Sequence, residues 1–502
     1  MSTLTKLQRR TVGPLDKRRR VTRCLGCAKR RIKVWRNSVF SSFVKLNFGS
    51  AKGGAPCAHC TRQNTMCVPQ KQSERGVSIF VNQTRQGDLG GCHKTSDQKK
   101  MAITNKRNSG NDQIHSIGRD RGTRLLDYFV SFIQQNLFTM SFSSIVPELL
   151  PLISTSPLLY HAVIAVGGLD ANRHSAGRAL QGEKPPYVDA MTSYRTSMSI
   201  LRSCLGEINV VQREDVLWAT FFLGLFELLS DDSGEGWVKH MLHGTSKMLQ
   251  LTGPSSCMSS PRRIFYDLFR VLEASRALLY NEETILSQEC WLRLQKTLSS
   301  EETRWDPMEE IITLMIQTSA FSLRAHDIIE NISEPERFTN LSVALLAAEG
   351  LMVQENIYNW HAKTLLQLFQ DDTNEYLNLA LLYYHALLIF LSGNYDYFPY
   401  WDKLQAPVLS PSEVSDHLVA ILDLSADVLL HSKIPGVMLF FPVTVAGSRA
   451  RSVNQKSKVL NLLDQVFCKG FVVANRVRDG LLIRWAERDQ KASIQPYEIR
   501  NT

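Results

Sequence analysis

The stretch DVLWATFFLGLFELL, residues 215–229, decides the fold class. Eleven of the 14 residues in Val216–Leu229 are apolar, so the segment has no polar face to turn to water and reads as a helix covered on all sides. Glu214 and Asp215 suit the positive N-terminal end of that helix, and Ser230-Asp231-Asp232-Ser233-Gly234 breaks the pattern after Leu229. Glu227, inside the run, then needs a partner. A buried ion pair or a partly exposed rim position is preferred over a ligand-sensing role.

Outward from this helix, apolar clusters of helical length recur at 125–138, 156–169, 262–280, 308–323, 341–370, 376–391, 413–431 and 457–486. Alternating strand patterns are scarce and no repeat of fixed spacing occurs, so the expected fold class is mainly α, with a large all-helical body over 124–490. WDPMEEIITLMIQ, 305–317, mixes acidic and apolar residues as activation segments do, but its spacing reads as a helix start. The longest apolar run, Leu377–Leu391, would reach about 22 Å as a helix against the roughly 30 Å of a bilayer core. With Asn378 and His385 inside it, it reads as a buried helix and no membrane span is expected.

Charge divides the chain. Of 58 Lys+Arg and 48 Asp+Glu, 25 and 6 respectively fall in residues 1–120, so a strongly basic head precedes a mildly acidic body. Such a head suits a polyanion, nucleic acid first. Lys17, Arg18, Arg19 and Arg20 stand where a signal peptide would need apolar residues, so secretion is not expected, and the run reads as a nuclear localisation patch or a phosphate-contacting arm. Residues 71–123 are rich in Gln, Asn, Ser, Lys and Gly and read as a flexible polar linker, without a heptad pattern for a coiled coil.

Five of the ten cysteines are Cys24, Cys27, Cys57, Cys60 and Cys67. Two C-x2-C pairs and a fifth thiol at this density point to zinc, because each pair places two thiolates on one tetrahedral ion. Between them, Lys29, Arg30, Arg31 and Lys33 put four cations on what would be one short helix. His240 and His243 are spaced for a shared metal, yet no third ligand is near, and a rim or capping role is preferred. The chain contains no G-x-x-x-x-G-K-[ST], H-E-x-x-H, G-x-S-x-G or G-x-G-x-x-G, and GEGW at 234–237 reads as a break between helices, so no enzyme is expected.

CLGCAKRRIK and PCAHCTRQNTMC together resemble the two halves of the fungal zinc binuclear cluster transcription factors. The resemblance implies two zinc ions on six thiolates, with Cys24 and Cys57 bridging, Cys60 and Cys67 completing one site, and Cys27 plus a third cysteine completing the other. That third cysteine is expected at position 34, which is Val34, and positions 35–56 form a 22-residue loop longer than the family's. Either a real insertion at about 34–53 costs a ligand, or the translated sequence carries a stretch such as a retained intron. The second is favoured, because both flanking halves keep the spacing. Cys92 or His93 would have to reach back from the linker to substitute.

By the same resemblance, Arg31 sits where the family contacts bases, and an Arg fork can meet guanine O6 and N7. Lys29, Arg30 and Lys33 would hold phosphates. The implied partners are double-stranded DNA bearing CGG-like triplets, the transcription machinery and a second copy of the chain; the implied location is the nucleus. FFLGLFELLSDDSGEGWVKHMLHGTSKMLQLTGP, 221–254, and DLFRVLEASRALLYNEETILSQECW, 267–291, resemble that family's fungal-specific regulatory domain, which would contact partners or sense a metabolite. The alternative is a helical interaction protein whose zinc head is defective at Val34.

Overall fold

In a computed structural model, the described residues are 121–175, 184–237, 244–301, 305–337, 339–368, 375–396 and 405–498. They are built of helices and connecting turns, with no strand among them. In order these are α1 (Arg121–Gln135), α2 (Ile145–Thr155), α3 (Pro157–Ser175), α4 (Pro186–Cys204), α5 (Glu214–Ser230), α6 (Ser246–Thr252), α7 (Arg262–Tyr280) and α8 (Glu289–Glu301). There follow α9 (Pro307–Asn331), α10 (Leu341–Leu368), α11 (Glu375–Ser392), α12 (Pro411–His431), α13 (Phe440–Arg449), α14 (Val453–Cys468) and α15 (Ala474–Glu498). The all-helical expectation for the body holds.

The run that decided the fold class is α5, and 13 of its 17 residues are buried. Its start is fixed by charge. Asp215 accepts from the Ser156 hydroxyl at 2.6 Å and from Arg213 at 2.8 Å. Burial opposes ionisation of its carboxyl, but the bonds from Arg213 and Ser156 prevail and hold it below the usual range. Along the helix, Trp218 stacks on Phe222 with ring centroids 5.8 Å apart and meets Phe265 of α7 edge-on at 5.0 Å. Aromatic pairs of this kind contribute about 0.5–1.5 kcal/mol beyond the area they bury.

Close approach by small residues lets neighbouring helices press in. α3 packs on α1, α4 and α5, and a side chain at Gly168 would lie 2.8 Å from the Ala190 methyl of α4. Farther along, α7 packs on α9, α9 on α10 and α11, and α11 on α12 and α13, while α13 also contacts α7, α12, α14 and α15. One apolar core runs through all of these contacts.

Helix ends follow local chemistry. Asp306 caps α9 by accepting from the Met308 amide at 2.8 Å, ahead of Pro307. This is the helix start read at 305–317. Ser410 with Glu413, and Ser452 with Gln455, form capping boxes on α12 and α14. The run expected at 457–486 is two helices, α14 and α15. It breaks at Gly470, whose φ of 103° disfavours any side chain, and where a Cβ would collide with Arg173 of α3.

The apolar run at Leu377–Leu391 lies within α11 and is buried, with Tyr383, Leu387 and Leu391 each 1 % exposed or less. Asn378 donates to Asp427 of α12 at 2.9 Å. No helix among the described residues is long and apolar enough to cross a membrane.

Candidate functional site

The head residues named from the sequence lie outside the described residues: Cys24, Cys27, Val34, Cys57, Cys60, Cys67, the cations Lys29, Arg30, Arg31 and Lys33, and the run Lys17–Arg20. So do Cys92, His93, His240 and His243. Among the described residues no group of three or more His, Cys, Asp or Glu is arranged to hold a metal ion.

Glu227 is half-buried, the rim position that was one of the two readings of it. Tyr194 of α4 donates to its Oε1 at 2.5 Å, with the Tyr194 ring stacked on Phe226 at 4.4 Å. Burial, and then the Glu227 charge, raise the Tyr194 hydroxyl above its usual range, so it stays a donor.

A partly enclosed cavity of about 70 Å³ lies between α5, α7, α13 and α15. α7 contributes Leu272, Ser275, Arg276 and Leu279, spaced i, i+3, i+4 and i+7 and so on one stripe, and ends the wall with Tyr280. Phe440 and Thr444 face in from α13, one turn apart, beside Val437. Leu228 closes the α5 side, where the chain turns through Gly234, φ 62°, to bring Trp237 to the wall. Any side chain at Gly234 would be strained, and a Cβ there would sit 2.9 Å from Val473. The last wall is Val473, Arg476, Val477 and Arg484, at the start and along the inner face of α15.

The cavity's charges differ in how they are held. Arg276 is buried and held by four hydrogen bonds: Nε and Nη2 donate to the two oxygens of Glu273, each at 2.9 Å, Nη1 to Glu282 at 2.7 Å, and Nη2 also to the Glu283 carbonyl. Arg476 donates to the Ser233 carbonyl. Burial pushes the Tyr280 hydroxyl up while Arg476 and Arg276 pull it down, and the balance leaves it raised and protonated. The wall is therefore mostly apolar and bordered by the Tyr280 hydroxyl and three guanidinium groups.

A second polar cluster joins α10, α11 and α12. His385 and His417 share one hydrogen bond, Nδ1 to Nδ1 at 2.8 Å, while His361 stacks on Tyr384 with centroids 4.2 Å apart. Burial, then His417 and His361, push the His385 imidazole down to about 3. Burial also lowers His417 and His361. At neutral pH the three rings are uncharged. The sequence marked His385 only as a polar residue in an apolar helix. His361 and His417 are 24 and 32 positions away, so nothing in the linear pattern joined them.

This is an all-helical domain that encloses a side-chain-lined cavity and joins its helices through buried polar contacts. The family model described as "Fungal specific transcription factor domain" matches residues 124–498, about three quarters of the chain. The chain belongs to that family, which places it among transcription regulators and not in a class of enzymes. No curated protein and no solved structure matches it.

Proposed function

We propose that the chain is a nuclear, zinc-dependent, sequence-specific DNA-binding regulator of RNA polymerase II genes. Its basic head would bind DNA, and its helical body would carry the regulation. The observation that supports this most is the order of parts: paired cysteines framing Lys29, Arg30, Arg31 and Lys33, followed in the same chain by the family domain at 124–498. In this reading Cys24, Cys27, Cys57, Cys60 and Cys67 hold zinc, Arg31 reads a CGG-like triplet and the neighbouring cations hold phosphates. A second copy would read a second triplet. Lys17–Arg20 would direct the chain to the nucleus.

Binding of the full chain to CGG-bearing duplexes is expected to need zinc and to weaken steeply from about 50 to 200 mM salt, because phosphate contacts release counterions. Binding indifferent to chelation of zinc overturns the reading.

Val34 favours a second reading. With a valine at the third ligand position one zinc site is a thiolate short, and the chain would act through protein contacts alone. Sequencing the mature transcript across codons 30–60 separates the two. A cysteine codon directly after Lys33 restores six thiolates, and retention of Val34 with its long loop favours the second reading.

A further inference from the structure

We propose that the cavity between α5, α7, α13 and α15 binds a small uncharged molecule, an alcohol or a ketone with a compact apolar body, whose oxygen is held by the Thr444 hydroxyl. This goes beyond the DNA-binding reading and does not rest on it.

Thr444 lies in the middle of α13 and is 3 % exposed, yet its hydroxyl has no hydrogen-bond partner among the described residues. Buried threonines within helices elsewhere in the fold donate to the carbonyl four residues back: Thr220 at 2.8 Å, Thr318 at 2.7 Å and Thr364 at 2.8 Å. Thr444 does not. Nor is its oxygen sealed among packed atoms, as the unpartnered Nε1 of Trp218 is, and the space it opens on is the cavity that Thr444 lines. A buried hydroxyl left without a partner is costly, and a bound oxygen would remove that cost.

The other polar side chains of the wall are engaged within the protein. Arg276 holds Glu273 and Glu282, Arg476 donates to the Ser233 carbonyl, the Ser275 hydroxyl is sealed against Tyr383, and Arg484 and Tyr280 have interactions of their own. The polar contact left open is therefore a neutral hydroxyl, which can accept from an alcohol or donate to a ketone.

Leu228, Leu272, Leu279, Phe440 and Val477 surround it with an apolar wall enclosing about 70 Å³. An apolar cavity of about 150 Å³ admits benzene, so this one suits a body of about three to five carbons. Water is the poorer occupant, because a buried water makes about three hydrogen bonds and most of this wall is carbon. An occupant bonded to Thr444 and resting on Leu272 and Val477 would fasten α13 to α7 and α15.

The test uses the full chain and ligand-observed NMR, with isobutanol, butanone and cyclopentanol as probes. Cyclopentane is the control without an oxygen, and isobutylamine and isobutyrate are the charged controls. At least one oxygen-bearing probe is expected to bind saturably, with an affinity indifferent to salt, while the charged controls do not bind.

Thr444→Val should weaken that probe about five-fold or more and leave cyclopentane no weaker, since only the hydrogen bond is lost. Thr444→Ser, which keeps the hydroxyl, should stay nearer the parent. Because the hydroxyl bonds nothing in the fold, Thr444→Val should also keep or raise the thermal midpoint. Val477→Phe should fill the hollow and abolish binding of every probe; if that variant loses its far-UV circular dichroism, Thr444→Val and the control ligands decide. No saturable binding of any oxygen-bearing probe overturns the proposal. So does a Thr444→Val protein that binds the probe as the parent does or weakens it and cyclopentane alike, or a charged control that binds as tightly as isobutanol.

Discussion

Around α7 the buried guanidinium groups are matched to carboxylates, whereas between α10, α11 and α12 three imidazoles meet one another and the Tyr384 ring. Arg270, 1 % exposed, pairs with Glu309 of α9, which also accepts from Gln295 of α8 at 2.9 Å. Arg262 pairs with Glu214 at 2.8 Å, and Arg276 with Glu273. The histidines have no such match within the pair: His385 faces His417, and the nearby acids Glu413 and Asp416 act on His417 from its own helix. The first cluster keeps its charges because each is paired before it is buried. The second stays neutral because desolvation and mutual repulsion remove the charge. A fold can therefore bury ionisable groups in two ways, and the two should fail under opposite treatments.

The largest effect is expected from breaking one pair. Arg270→Met leaves Glu309 without its cation and should cost about 3–5 kcal/mol by urea unfolding, whereas Arg270→Met with Glu309→Leu should return to within about 1 kcal/mol of the parent. If the double variant is as unstable as the single, the ion pair is not what the site depends on.

Acid should act first on the histidines. The His385 imidazole is held near 3 in the fold, so the unfolded chain, titrating near its ordinary 6.5, binds more protons between those values. Stability is full above about 6.5 and falls as pH drops toward 3, by about 2 kcal/mol at pH 5. His385→Leu should flatten that decline, and an unchanged pH profile would show that the rings do not set it.

Asp267 provides the opposite sign. Burial pushes its carboxyl up to about 6, against the pull of Arg263 at 3.0 Å. Here the folded state binds more protons between about 4 and 6, so this group's contribution is full below about 4 and lost as pH rises through 6, about 3 kcal/mol in all with roughly half of it gone by pH 5. Asp267→Asn should make the acid decline steeper, and a shallower one would contradict the assignment. The smallest effect is reserved for an exposed pair: Arg324→Ala, which removes its contact with Glu349, should change stability by less than about 0.5 kcal/mol.

α5 was readable from its residues because an apolar run with acidic residues at its start and Asp231-Asp232 at its end admits one folded reading. α4 was not in the list of apolar runs, although it packs extensively on α3. Its buried face includes Ser193 and Ser197, and the Ser197 hydroxyl donates to the Leu158 carbonyl at 2.9 Å, so small polar residues do there what leucine does elsewhere. α13 was also missed: GVMLFFPVTVAGSRA carries valines and a proline that argue against a helix, and burial against α7, α11, α12 and α15 overrides that preference. The cavity was invisible for a related reason. Its walls come from segments some 250 residues apart, and neither Arg476 nor Arg484 has a local pattern that sets it apart from other cations on a half-exposed helix.

The place of α15 in the chain has a consequence for synthesis. The walls supplied by α5 and α7 leave the ribosome some 200 residues before Arg476 and Arg484 do. Until then the hollow is an open apolar trough, a surface for chaperones to shield. A nonsense codon anywhere between α13 and Arg476 would thus yield a chain with most of its core sequence, no α15 and a permanently exposed trough, and such a product should be cleared by quality control instead of persisting.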